Sequence, residues 1–143
     1  MKILLCLVIV LVIETRARPS HPSLKPEEEC LEQLGLQMRD VLPYVHIITD
    51  LSSPEIINEF FACAWKKRNM LSDNHNINGE NIAIYVLDIY ASLNLNEDQK
   101  QQVISEMNKC GSLTAEHEST LGLLIKNCII EGINNLEFLA YEI

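Results

Sequence analysis

The run CGSLTAEHESTLGLLIKNC, residues 110–128, decides the fold. In it and just beyond, Leu121, Leu124, Ile125, Cys128 and Ile129 fall at i, i+3, i+4, i+7 and i+8, the pattern of a helix with one buried face. This helix is expected to begin near Ala115 and to close at Gly132. Upstream, Asn96-Glu97-Asp98 supplies a cap and a first turn of acids, and Val103, Ile104, Met107 and Cys110 form the apolar stripe of a helix ended by Gly111. Before it, Ile82, Tyr85, Val86, Ile89 and Leu93 recur at three- and four-residue intervals, with Asn94 as the stop. Ser72 to Gly79 is polar, Asn-rich and ends in Asn78-Gly79, so it reads as a loop. Ser53-Pro54-Glu55 opens a further helix, with serine as cap, proline at the first helical position, and Ile56, Phe60, Cys63 and Ala64 as its apolar face. Pro26-Glu27-Glu28-Glu29 starts the first helix near residue 25, with Leu31, Leu34, Met38 and Val41 on one face. Gly35 weakens its middle and Pro43 interrupts its continuation, which predicts a break and a second short helix over residues 37–49. The reading is all-α: a compact bundle of about six helices.

Composition agrees. The 143 residues carry 20 acidic against 11 basic side chains, a net charge of −9, with 48% hydrophobic and 22% charged residues. Such a chain can bury a core. An acidic balance without any cluster of four basic residues argues against nucleic acid and against an anionic membrane face as partners. Lys2, the apolar run Ile3 to Ile13 and Thr15-Arg16-Ala17 have the order of a secretory signal peptide, too short to span a bilayer and ending in small residues suited to cleavage. Residues 1–17 are therefore expected to be removed, leaving 18–143 as a secreted domain without a membrane anchor. Cys6 leaves with the leader. Cys30, Cys63, Cys110 and Cys128 then meet an oxidising compartment and are expected to form two disulfides. Of the three possible pairings, loop-closure entropy makes Cys30 with Cys63 and Cys110 with Cys128 the easiest.

Catalytic and metal chemistry find little support. Asn74-x-Asn76-x-Asn78-Gly79 mimics the first half of a calcium-binding loop, but the twelfth position, which needs a bidentate carboxylate, is Tyr85. No zinc-ligand spacing, P-loop, G-x-S-x-G or H-E-x-x-H occurs, and Asp50 and Glu55 on either side of Pro54 read as helix-start residues. No cofactor is implied and the chain is read as not an enzyme. His46, among Tyr44, Val45, Ile47 and Ile48, is either a core-edge histidine or a pH-sensing one. Trp65 is either a partly exposed packing residue or one wall of a ligand site. Lys66-Lys67-Arg68 reads as a solvated helix end at the negative pole of the dipole.

Two spacings, Cys110-x8-Ser119-x8-Cys128 and Glu59-x3-Cys63, resemble the six-cysteine pattern of insect odorant-binding proteins, the pheromone and general odorant-binding family. In that family the second and third cysteines are four apart and the last three are separated by about eight residues each. On this alignment Cys30, Cys63, Cys110 and Cys128 are the first, third, fourth and sixth, while Glu59 and Ser119 stand at the second and fifth. The second and fifth pair in the family, so one complete bridge is missing, as in its four-cysteine Minus-C subclass. Helix geometry is compatible: Glu59 and Cys63 share a face, whereas Ser119 and Cys128, nine residues apart, are about 180° apart, so one helix can turn position 119 toward the third helix and Cys128 toward the fifth. The Cα atoms of Glu59 and Ser119 are then expected within about 7 Å, the reach of a disulfide. Glu59 either accepts a hydrogen bond from the Ser119 hydroxyl or reaches solvent.

The resemblance implies six helices around an apolar cavity, pairing Cys30–Cys63 and Cys110–Cys128, and a secreted carrier for small, volatile, hydrophobic ligands, with a membrane odorant receptor as a candidate partner. Helical facing offers Met38, Leu42, Ile56, Phe60, Val86, Ile89, Met107, Leu121, Leu124, Phe138 and Tyr141 as wall residues. Tyr44, Tyr85 and Tyr141 are the candidate hydrogen-bond donors. The apolar tail from Ile133 to Ile143 is expected to fold over the cavity mouth. The competing class is a secreted helical signalling protein acting through its surface, with a solid core. A phospholipase-like enzyme would need a calcium loop and a His-Asp pair.

Overall fold

A computed structural model describes residues 22–140; the expected leader, residues 1–17, and Tyr141 lie outside them. The described chain is helical: α1 Lys25–Leu34, α2 Met38–Val45, α3 Glu55–Lys67, α4 Gly79–Ile89, α5 Glu97–Asn108, α6 Glu118–Asn135 and α7 Glu137–Ala140, with 3-10 turns at Ala91–Leu93 and Lys109–Ser112. The bundle has the six expected helices plus a short seventh.

Local chemistry sets most boundaries. Gly35 does not sit in mid-helix. It ends α1 in the left-handed region (φ 67°), and the amides of Gly35 and Leu36 return to the carbonyls of Glu32 and Leu31 at 3.3 and 2.9 Å, which is a Schellman closure. The break before α2 follows from this, and α2 opens with a capping box in which the Asp40 carboxylate accepts from the Gln37 amide at 2.8 Å. The second helix stops at Val45, four residues short of the expected 49, because the next carbonyls are claimed from elsewhere in the fold. Ser53 does not cap α3: its hydroxyl donates to Asn58 Oδ1 (2.8 Å), and Pro54 stands one position ahead of the first helical residue, Glu55. Asn78 does more than turn the chain, since its Oδ1 accepts the Asn81 amide at 3.0 Å and caps α4. The loop before it is pinned by an antiparallel bridge between Leu71 and Ile77. Asn94, at φ 51°, ends the turn after α4, and Asn96 caps α5 in a reciprocal box with Gln99, at 2.8 and 3.0 Å.

Two helix ends differ from expectation. Gly111 is not a left-handed terminus; α5 tightens into a 3-10 turn that carries the buried Cys110. Gly132 does not close α6, which runs on to Asn135, so part of the expected tail is helix. This glycine serves packing: a Cβ there would lie 2.8 Å from the Met107 methyl of α5.

The core is organised by α3 and α6. A Cβ on Gly122 would press into the Ala62 backbone nitrogen and lie 2.7 Å from the Asn58 carbonyl oxygen and 2.8 Å from the Ala62 Cα, so the two backbones are in direct contact. The buried indole of Trp65 donates to the Gly122 carbonyl at 3.0 Å across the same crossing. Cys30–Cys63 ties α1 to α3, and Cys110–Cys128 ties the turn after α5 to α6, each with Cα atoms 5.9 Å apart. This is the expected pairing, and each bridge stabilises by about 3–4 kcal/mol in the chain-entropy model. α7 folds back onto α6 with Leu136 and Leu139 buried.

The basic triplet is not a solvated end. Arg68 makes a bidentate pair with Glu27 of α1 at 2.8 and 2.7 Å, Lys67 reaches Glu29 at 3.2 Å, and Lys66 bridges Asp73 and Glu118 at 2.7 and 3.0 Å. The end of α3 is thereby clamped to α1, to the following loop and to the start of α6.

The two glycines of α6 should respond oppositely to alanine, which is intrinsically the better helix former by about 1 kcal/mol. Gly122→Ala meets rigid backbone and should lower the unfolding free energy by about 1–3 kcal/mol despite that preference. Gly132→Ala meets the end of a flexible methionine and should be neutral or stabilising. Denaturant unfolding of the oxidised variants measures both; equal effects would refute the close α3–α6 crossing.

Candidate functional site

Beside the crossing lies a cavity of about 660 Å³, open at one side. α3 contributes Phe61 and Trp65. α6 contributes Lys126, Ile129, Ile130 and Ile133. Tyr85 and Ile89 come from α4, Tyr90, Ser92 and Leu93 from the turn after it, and Val45 with His46 from the end of α2. The wall is mainly apolar and aromatic with a few polar groups, the make-up of a site for a small organic molecule.

An aromatic row runs along it. Phe61 stacks on Trp65 with ring centroids 6.1 Å apart, and Trp65 meets Tyr85 edge to face at 5.8 Å. A cation stands at each end: the Arg68 guanidinium lies 4.8 Å from the Tyr85 ring and the Lys126 ammonium 5.4 Å from the Phe61 ring. Burial pushes the Tyr85 phenol above its usual range, so it remains a protonated donor at neutral pH.

Lys126 is only 3% exposed. Its ammonium donates to the carbonyls of Tyr44 (3.0 Å) and Ile47 (2.7 Å) and to Thr49 Oγ1 (2.8 Å), which uses all three protons. Asn127 adds a second hold on the same segment, its Nδ2 donating to the Thr49 carbonyl at 2.7 Å and its Oδ1 accepting the Thr49 amide at 3.1 Å. These bonds satisfy carbonyls in the last turn of α2 and in the segment after it and set one wall of the cavity. Loss of water pulls the Lys126 pKa down to about 8.

Of the eleven residues offered by helical facing, Ile89 lies in this wall. Phe60, Val86, Met107 and Leu121 are buried in the core, and Met38, Leu124 and Phe138 are partly buried. Leu42 and Ile56 are 52% and 39% exposed, facing away from the bundle interior. Among the candidate donors Tyr85 is in the wall, whereas Tyr44 contributes its backbone carbonyl to Lys126. Trp65 proves to be a buried wall residue and His46 an exposed one at the cavity edge. Phe61, Tyr90 and Ile130 were not singled out by periodicity, and Ile129 was placed on the buried face of its helix without being offered as a wall residue. For Lys126 a signal existed: a lysine inside the apolar run Leu123 to Ile130 with Gly122 and Ile130 at i−4 and i+4 has no acid on its own helix face.

Away from the cavity, Glu59 and Ser119 flank one surface depression together with Glu55 and Cys63. The Ser119 hydroxyl donates to Glu55 at 2.8 Å, one turn before Glu59, and Glu59 itself reaches solvent. Position 119 thus faces α3, as the helix geometry allowed.

Because folding lowers the Lys126 pKa below that of the unfolded chain, the unfolded state binds more protons between pH 8 and 10 and stability from this group rises with pH over that window. Denaturant unfolding at steps from pH 8 to 10 should show this rise, and Lys126→Met should remove it; an identical slope in the variant would mean that the ammonium is solvated.

Neither a curated protein sequence nor a solved structure gives a significant match to the chain. A family model does: that of the PBP/GOBP family matches residues 22–131, the span holding all four cysteines of the two bridges and α1 through most of α6. With that match over an all-helical, twice-bridged bundle, the chain belongs to the PBP/GOBP family, the insect odorant-binding proteins.

Proposed function

We propose that the protein is an extracellular carrier, which encloses a small, hydrophobic, odorant- or pheromone-like molecule in the cavity between α2, α3, α4 and α6 and moves it through aqueous fluid. The observation that carries this reading is the apolar and aromatic cavity within a chain of a binding-protein family. Burying apolar ligand surface there would stabilise the complex by roughly 25 cal/mol per Å² before ordering costs, and few polar groups suffice to orient a ligand. The reading supposes removal of residues 1–17 and secretion, which suits two disulfides. Met38, Leu42, Ile56 and the other residues offered by helical facing remain candidates only where a ligand or a chain movement reaches them; Ile89 has the most direct claim.

The purified, oxidised protein should bind an apolar fluorescent probe at micromolar concentration and release it to small volatile esters, alcohols or aromatics. Absence of probe binding across a broad panel would overturn the carrier reading in favour of a signalling protein with a solid core.

We also propose the Minus-C subclass, in which Glu59 and Ser119 occupy the vacated cysteine positions; the side of α6 on which Ser119 lies supports it. The pair Glu59→Cys with Ser119→Cys should crosslink on oxidation and gain roughly 4 kcal/mol before strain. Peptide mapping by mass spectrometry reads the result. A 59–119 bridge that fails to form while the two native bridges are intact would displace the assignment.

A further inference from the structure

Among the described residues, the cavity wall holds a charge that no acidic group neutralises. Lys126 lies in the middle of α6 and lines the cavity beside Phe61 and Ile129. Its ammonium is hydrogen-bonded only to two carbonyl oxygens and one hydroxyl, and among the described residues it has no carboxylate within ion-pair distance. The other cation on the aromatic row differs, because Arg68 is matched by Glu27 in a bidentate pair. Dipoles satisfy the protons of Lys126 but leave its unit charge uncompensated where attraction between charges is strong. Among the described residues the rest of the wall offers no anion: its other polar side chains are His46, Trp65, Tyr85, Tyr90 and Ser92.

We propose that the cavity selects amphiphilic ligands with an apolar chain and a single carboxylate, the carboxylate lying against the Lys126 ammonium and the chain along Phe61, Trp65 and the isoleucines of α6. This rests on the carrier reading and names its ligand class. The carboxylate need not displace the carbonyls of Tyr44 and Ile47, since it supplies the missing counter-charge from the cavity side. The protein as a whole carries a net charge of −9, so the preference for an anion is a local property of this wall, opposed by the overall field. A neutral ester or alcohol of the same length would fill the same apolar space without compensating the charge.

Decanoate, methyl decanoate and decanol form a matched set, measured by displacement of an apolar fluorescent probe and by calorimetry at pH 7. Wild type should bind decanoate about tenfold or more tightly than the ester or the alcohol, the low end of the coupling between close charge pairs. Lys126→Gln, which is neutral but still able to donate to the loop carbonyls, should bind the three alike, and Lys126→Arg should keep the preference. His46→Gln should keep it too, which separates Lys126 from the other basic group of the wall. Should Lys126→Gln fail to fold, the wild type decides: as pH rises from 7 to 10 the decanoate affinity should fall toward that of the ester, whose own affinity stays level. Among the described residues, His46, Tyr85 and Tyr90 are the other titratable groups facing the cavity, from the end of α2, from α4 and from the turn after it. A wild type that binds the ester as tightly as the acid, a preference that survives in Lys126→Gln, or a pH-independent preference would overturn the proposal and leave the carrier standing. Failure of all three ligands and of the probe would overturn the carrier itself.

Discussion

The backbone contact between Gly122 and Ala62 is the constraint from which the rest of the bundle follows. With no side chain at 122, α6 settles against the Asn58 carbonyl and the Ala62 nitrogen of α3, and the Trp65 indole fastens to the Gly122 carbonyl. The approach fixes where the side chains on either flank must go. On one flank stand Glu55, Glu59 and Ser119; on the other Phe61 and Trp65 are turned toward Lys126 and Ile129, and the space they do not fill is the cavity. The two disulfides then hold the outer helices to this pair, α1 through Cys63 and the end of α5 through Cys128.

The same contact bears on the bridge that the cysteine pattern lacks. In the resembling pattern that bridge would join α3 to α6. Here these helices are held by close backbone packing, a buried indole hydrogen bond, and the polar link from Ser119 to Glu55. A disulfide stabilises mainly by restricting the unfolded chain, whatever the native contacts, so the native link between these helices is carried by packing and hydrogen bonds. Where native packing is already dense, a hydrogen bond at the rim is enough to satisfy the polar groups.

Helices were legible because their signals are local: the Asn96 cap and the three- and four-residue recurrence through Leu121, Leu124, Ile125, Cys128 and Ile129 depend on neighbours within a turn; Gly35, expected to weaken the middle of the first helix, instead ends it. Gly132 was misread because the same residue serves two ends. A glycine can terminate a helix or admit a side chain from another one, and only the position of Met107 distinguishes them. The early stop of α2 has the same origin, since the carbonyl of Ile47 is bound by a lysine 79 residues away. The cavity was less legible than the fold for a related reason. Periodicity identifies the apolar face of each helix, as it did for Phe60, Val86 and Leu121, but the centre of such a face meets another helix and becomes core. A void forms where faces diverge, so its wall is drawn largely from their edges: Phe61 next to Phe60, Trp65, and Ile130 next to Ile129.

Those edges are also where polar groups can stand beside apolar surface without being expelled to solvent. The aromatic row shows two ways of keeping a cation there. Arg68 is neutralised by a carboxylate from α1 in a planar, two-bonded pair, so its contribution to the field in the cavity is largely cancelled. Lys126 is kept by carbonyl dipoles that also complete the segment after α2, so one side chain both closes the wall and charges it. Replacing it by an apolar residue would preserve the volume but orphan the two carbonyls, and replacing it by an acid would repel them. The requirements of the fold and of the site therefore converge on a donor-only cation at position 126, which is why a lysine interrupts the most apolar stretch of α6.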